Sequence, residues 1–495
     1  MTEQTTRPGV LDPGGVDAWL DAAWRPRSAH APRGVVVAIA LAALVAAVFV
    51  RFDRAGVGWT LAAIAVIAAL FWAGGTSAPD WRWLLLSGAL MVLPTLRSAF
   101  WLTELAVLGS LVAAAIAVGG GSRARELALA LWYPVIAVLR GVPWVWRGVL
   151  AGRRGRAGVR VGRTVLLTAL VLVVFGSLLV SADDAFADVV FALLPPLDVA
   201  WVARALWAFA LTAALLAGLV FLVDSPVRST AAGQRARERS GRVVEWAGPV
   251  GVLVLLFAGF VAVQLRQLFG GEAHVAGTAG LTYSAYARGG FWQLLFVTAL
   301  TLVVIGLAAR VAPRGTRGER TWLRALLGAL VVLTLVIVAS ALSRMWTYQQ
   351  TYGFTVLRLQ VSAVEVWLGV VYVLVLVAGA RLSAAWLPRA VVAAGLLGVL
   401  AVGLADPERL VAERNVARYA ETGELDSDYL GGLSPDAVPA LVELPPDAGR
   451  CLLDDHRRVL AQGYDDDGAS GWNLARDRAR ELLAAQDPLP CGAPG

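Results

Sequence analysis

The stretch that decides the fold is LTYSAYARGGFWQLLFVTALTLVVIGLAAR, residues 281–310, followed after a basic turn by SALSRMWTYQQTYGFTVLRL, residues 340–359. Two apolar runs lie inside it, Phe291–Ala309 and Leu323–Ala341. Each is close to the roughly 20 residues that a helix needs to cross a hydrocarbon core. Polar-aromatic segments bracket the pair, around Tyr283–Arg288 and Arg344–Arg358. Two crossings return a chain to the side it left, so both brackets fall at one membrane face.

The pattern recurs outward from this centre. Val35–Val50, Trp59–Trp72, Trp83–Leu96, Phe100–Val118, Thr164–Val180 and Trp201–Val223 precede it, then Val243–Leu265; Val361–Ala378 and Ala390–Val402 follow. Hydrophobic residues make up 58% of the chain and charged ones 16%, and they are segregated into runs and loops rather than interleaved. A soluble protein needs amphipathic helices to face water, and the first four hundred or so residues hold few. The reading is an all-α, polytopic helical membrane protein of about eleven spans. The first run lies too far from Met1, and has too long an apolar core, for a cleaved signal. It reads as an uncleaved anchor.

All of the basic side chains are arginine. They collect in the loops, as the positive-inside rule expects, so the calculated pI of 9.9 does not call for nucleic acid. Residues 1–33 read as a disordered cytoplasmic arm, and 34–118 as N-terminal transmembrane helices. Residues 119–163 form a basic cytoplasmic loop, with nine arginines from Arg123 to Arg163 against Glu126. Its apolar part, 127–150, is interrupted by Pro134, Gly141 and Pro143 and reads as an interfacial helix. A re-entrant element or an extra hairpin is the alternative. Residues 164–404 form the main transmembrane domain. The link at 309–324 carries five arginines against Glu319.

From Asp406 the apolar runs stop, and 405–495 reads as a soluble helical tail. PERLVAERNVARYAETG is amphipathic, with Leu410, Val411, Val416 and Tyr419 sharing one face. Ser434 stands as an N-cap with Pro435 at the first helical place. GWNLARDRARELLAAQ is a third short helix. Cys451 and Cys491 are the two cysteines of the chain. An extracytoplasmic tail would allow them to pair as a disulfide, with two unrelated thiols as the alternative.

Residues able to carry function gather at the outer ends of the central spans: Gln264, Arg266, Tyr283, Tyr286, Arg288, Arg344, Tyr348, Tyr352 and Arg358, with Glu365 a few residues into the next span. Arg358 and Glu365 are seven apart, two helical turns, hence on one face. A carboxylate inside a span is costly without a partner, and the expectation is that Glu365 reaches one of Arg288, Arg344 and Arg358 across helices. A packing ion pair and an interfacial aromatic belt are the plainer accounts of the same residues. No catalytic residues are assigned: HExxH and a Walker lysine are missing from the sequence, and His30, His274 and His456 are scattered. No cofactor and no metal site is expected. The expected partners are the lipid bilayer and an unidentified small molecule, ion or protein.

FAGFVAVQLRQLFGG, GLTYSAYARGGFWQLLFVTALTLVVI and SALSRMWTYQQTYGFTVLRL, with the tail segments ERNVARY and LDSDYLGGLSPDAVPALVEL, resemble the bacterial DUF4153/DUF4173 family of multi-pass membrane proteins of unknown function. The resemblance covers roughly residues 243–444. Members of that family tend to carry a second basic residue where this chain has Gly289. It implies a helical membrane fold in the bacterial plasma membrane and leaves the activity open. Three classes of function fit: a transporter or channel using the polar cluster, an anchor presenting its tail to partners, and a membrane-embedded enzyme acting on an anionic or lipid-linked substrate.

The charge pattern places the N-terminus and the loops near Arg153, Arg237 and Arg317 in the cytoplasm and the tail outside. A cytoplasm-active reporter fused after Gly495 should stay silent. Peptide mapping of unreduced, thiol-blocked protein should recover 451 linked to 491. An active reporter would overturn the sidedness; two fully alkylated cysteines would overturn the bridge.

Overall fold

The structure is a computed structural model that describes residues 26–74, 79–119, 124–153, 199–224, 243–269, 283–464 and 468–486. Every regular element among the described residues is helical. The first seven labelled helices are α1 (Arg33–Phe49), α2 (Val57–Gly74), α3 (Trp81–Leu90), α4 (Phe100–Gly119), α5 (Ala124–Arg153), α6 (Val199–Asp224) and α7 (Val243–Phe269). Then come α8 (Tyr283–Val311), α9 (Arg317–Tyr352), α10 (Val356–Arg381) and α11 (Leu387–Leu404). The tail contributes α12 (Pro407–Thr422), α13 (Pro446–Tyr464) and α14 (Leu474–Ala484), with short helical turns between them.

Eight of these helices are long and apolar enough to cross a membrane: α2, α4 and α6 to α11. Arg33–Phe49 and Trp81–Leu96 are apolar but shorter. The expected run Thr164–Val180 lies outside the described residues. The protein is therefore a multi-pass helical membrane protein. Their outward faces explain why the spans suit lipid: Val252, Leu255, Leu256, Phe296 and Leu357 are exposed large apolar side chains. In water such a surface would be an aggregation liability.

The spans divide into two bundles with separate cores. One is built from α1 to α6 and includes Leu70, Leu84, Leu102, Ile116, Trp144 and Leu222. The other is built from α7 to α10 and includes Trp246, Phe257, Leu330, Ile337 and Tyr372. Helix α11 follows the second bundle in sequence but adds Leu396 to the first. It sits there closely: a Cβ on Gly403 would lie 2.7 Å from the Leu93 side chain, and one on Gly109 3.1 Å from Leu396. The first core thus draws on α6 and α11, from residues 164–404, as well as on helices of 34–118.

Polar pairs also tie helices within the bundle. The Ser87 and Ser110 hydroxyls are 2.7 Å apart, and Thr60 meets Thr95 at 2.6 Å and donates to the Met91 carbonyl. Membrane helices use such contacts because lipid supplies no hydrophobic drive for association.

Segment 124–153 departs from the expectation. It forms one helix of 30 residues. Pro134, Gly141 and Pro143 do not interrupt it, and Ala137 and Trp144 are fully buried. Gly141 serves close approach instead of termination: a Cβ there would meet the Ala217 carbonyl oxygen at 2.5 Å. Part of the expected N-terminal arm is also fastened. The Trp144 indole donates to the Ser28 carbonyl at 3.0 Å, the Ala31 amide to the Trp144 carbonyl at 3.2 Å, and Ser28 to the Asp224 carboxylate at 3.2 Å. Residues 1–25 lie outside the described residues.

Helix α9 has 36 residues, about 54 Å at 1.5 Å per residue. The hydrocarbon core is about 30 Å thick, so the helix stands well clear of it. Thr316 and Glu319 close its start as a capping box, and Gly353 at φ 82° ends it. The tail packs around Leu430, Leu441, Leu452, Ala479 and Leu483. Its longest helix, α13, was not expected. Leu452, His456 and Leu460 are buried at helical spacing along it.

The glycine contacts give opposite expectations for one substitution. Gly141→Ala must push apart two helix backbones and should cost about 1–3 kcal/mol. Gly251→Ala meets nothing within 4 Å and should gain up to about 1 kcal/mol from helix propensity. The temperature at which detergent-solubilised protein aggregates checks both; equal shifts would contradict the close contact of α5 with α6.

Candidate functional site

Two polar constellations stand out. The first is the joint between the tail and the helix ends it packs against. After Tyr352 the chain turns through Gly353–Thr355, and helix α12 clamps this turn. The Asn415 side chain accepts from the Phe354 amide at 2.9 Å and donates to the Phe354 carbonyl at 2.8 Å. A Cβ on Gly353 would lie 2.9 Å from that Asn415 oxygen. Arg418 donates to the Thr351 carbonyl at 2.9 Å, the Val356 amide donates to the Tyr429 hydroxyl at 2.7 Å, and Arg414 lies over the Trp346 ring.

The same tail grips the first bundle. Arg97 donates to the Gly403 and Leu404 carbonyls, both at 2.8 Å, and pairs with Asp406. Glu408 accepts from the Trp101 indole at 2.9 Å and from the Ser434 amide at 2.6 Å. Asp436 accepts from the amides of Ser98 and Ala99 at 2.8 and 2.9 Å and from the Ser434 hydroxyl at 2.7 Å. Asn473 donates to the carbonyls of Pro94 and Arg97, and fully buried Arg476 to those of Ala55 and Gly471. The broken stretch Pro94–Trp101 leaves backbone groups that need partners, and the tail supplies them.

The second constellation lies inside the second bundle. Glu365 of α10 is 0% exposed, and among the described residues neither carboxyl oxygen has a hydrogen-bond partner. Thr298, Thr301 and Thr334 are buried around the same core. Each threonine donates to the carbonyl one turn back on its own helix. The hydroxyl of fully buried Tyr372 donates to the Thr298 carbonyl at 2.5 Å and lies within reach of the Thr301 and Thr334 side chains. Tyr372 thereby joins α8, α9 and α10. It is seven residues after Glu365, on the same helical face.

The expected outer cluster separates into small groups. Arg344 donates to the Gln264 side chain, which also accepts from Ser340 at 3.4 Å. Arg358 turns back to the Tyr352 and Gly353 carbonyls and stacks 4.6 Å from the Tyr348 ring, with Tyr352 beside Tyr348. The expected ion pair from Glu365 to Arg344 or Arg358 is not formed. The guanidinium groups find backbone carbonyls, a side-chain amide and an aromatic face nearer to the helix ends. The side chains of Arg266, Tyr283, Tyr286 and Arg288 lie outside the described residues. Cys451 is disulfide-bonded, and Cys491 lies outside the described residues. Sequence reasoning missed Asp436, Asn415 and Arg476. Asp436 sits two residues after the Ser434 cap, a hint of a local turn but not of a distant partner.

The joint carries a pH dependence. Burial pushes the Asp436 carboxyl up to about 7; Asp406 and Glu408 push the same way, while the Ser434 hydroxyl and Ser98 amide oppose. The docked state thus binds this proton more tightly than an undocked one. Its contribution is complete below the ordinary carboxylate value of 3.8 and is lost as the pH rises through about 7. Buried His456 runs oppositely, since burial lowers its pKa and its share is lost as the pH falls. Arg97 faces Asp406 in the same cluster. Tail protection against protease should fall between pH 6 and pH 8 in the wild type, and the part that Asp436→Asn removes is the share of Asp436. An Asp436→Asn profile parallel to the wild type would contradict the assignment. Asn415→Ala should weaken docking at every pH by about 1–3 kcal/mol, since it strands the Phe354 backbone.

No curated protein matches the chain, and no solved structure does. One family does match: the Domain of unknown function (DUF4153) covers residues 85–444. That range holds Glu365, the turn at Gly353–Thr355 and the first part of the tail, and it exceeds half of the chain, so this multi-pass membrane protein belongs to the DUF4153 family.

Proposed function

We propose that the protein is a transport or channel-like membrane protein whose working centre is the second bundle. The observation that carries this reading is Glu365. A charge-capable group inside a span is expensive, and where one is kept it commonly serves a substrate or ion path. Glu365 lies roughly 14 Å along α10 from its outer end, at 1.5 Å per residue. Gln264, Ser340 and Arg344 provide polar groups on the outer side of it. About eleven spans, a plasma-membrane location, a cytoplasmic N-terminus and an extracytoplasmic tail closed by a Cys451–Cys491 bridge complete the reading. The arginine-rich loops support this sidedness.

One observation favours a second reading, an anchor that presents its tail. The tail has its own core and is fixed through buried polar bonds, as a rigid docking platform requires. Currents across bilayers containing the purified protein separate the two. Under the transport reading the wild type conducts above protein-free membranes, and Glu365→Gln lowers the current at least about tenfold at unchanged yield. Equal currents in both proteins, or none in either, would favour the anchor.

A further inference from the structure

We infer that Glu365 is a proton-exchange site, occupied by one proton in the resting bundle. The inference rests on the transport reading only for its purpose; the chemistry stands by itself. An ionised carboxylate enclosed by apolar side chains and without a partner carries a large desolvation cost. Either a cation or a proton removes it. Glu365 is fully enclosed, and neither of its oxygens meets a donor among the described residues.

A metal cation would need a shell. Sodium- or calcium-like ions gather about six or more oxygens. The buried polar side chains of the same bundle core are already committed elsewhere. The hydroxyls of Thr298, Thr301 and Thr334 are turned to their own helix carbonyls, and the Tyr372 hydroxyl to Thr298. Among the described residues, no group of three His, Cys, Asp or Glu side chains is placed to hold a metal ion. A proton needs no shell. It binds one carboxylate oxygen and leaves a neutral acid, with no other bond made or broken.

The test uses the full chain in lipid nanodiscs. Dicyclohexylcarbodiimide partitions into apolar regions and adds to protonated carboxyl groups. Cleavage at arginine yields peptide 359–381, in which Glu365 is the sole acidic side chain. Wild type should carry the adduct on this peptide at neutral pH, and Glu365→Gln should not. Infrared spectra provide a readout that does not depend on reagent access: a protonated-acid carbonyl band should be present in the wild type and absent from Glu365→Gln. Glu365→Asp, which retains the acid, should keep the band. Spectra showing only an ionised carboxylate at position 365 would overturn the inference whatever the labelling result. A protonated Glu365 in a protein that conducts nothing would leave the proton site standing and remove transport. Conduction with an ionised Glu365 would do the reverse.

Discussion

Arg97 is the point where three parts of the chain meet. Its guanidinium holds the last carbonyls of α11, pairs with Asp406 at the start of the tail, and stands in the break between α3 and α4. The end of a helix leaves carbonyls without partners, and a planar five-donor group satisfies several at once. Around this one residue the tail finds its register. Asp436, Glu408 and Asn473 then bond to the neighbouring stretch from Pro94 to Trp101. Were the break at Arg97 a continuous helix, the Ser98 and Ala99 amides would bond internally and Asp436 would lose both.

The same logic of unsatisfied groups separates the two polar constellations. At the tail joint each buried carboxylate keeps at least one partner: Asp406 pairs with Arg97, and Glu408 and Asp436 accept from backbone amides. Inside the second bundle Glu365 has none on either oxygen among the described residues. Membrane interiors punish such a remainder, and that asymmetry marks Glu365 as a candidate for work other than packing. Two of the three arginines expected to neutralise it, Arg344 and Arg358, lie where a side-chain amide, backbone carbonyls and a ring are nearer.

Much of the fold was legible in the sequence because lipid imposes a one-dimensional signal. An apolar run of sufficient length reads directly as a span, and α2, α4 and α6 to α11 were visible this way. The capped turn at Ser434 and the apolar face of α12 were equally local. What escaped was non-local. Gly141 reads as a helix stop until Ala217 is placed against it. Asp436 reads as a surface acid until Ser98 and Ala99, more than 300 positions earlier, donate to it. Glu365 was singled out from sequence alone, but a partner was supplied by proximity along the helix, and proximity along a helix does not say which way a flexible arginine turns.

The placement of α11 bears on the order in which the protein is made. The groove lined by Leu90, Leu93 and Leu102 belongs to helices synthesised early, yet the helix that fills it is the last span of the chain. During translation that groove waits for some three hundred residues, a delay of order tens of seconds at ordinary elongation rates. The N-terminal bundle is thus unfinished while the second bundle is already synthesised, and the face that α11 covers stays bare of its own chain until then. Closure by α11 and docking of the tail at Arg97 then arrive together, as one late step that seals the molecule.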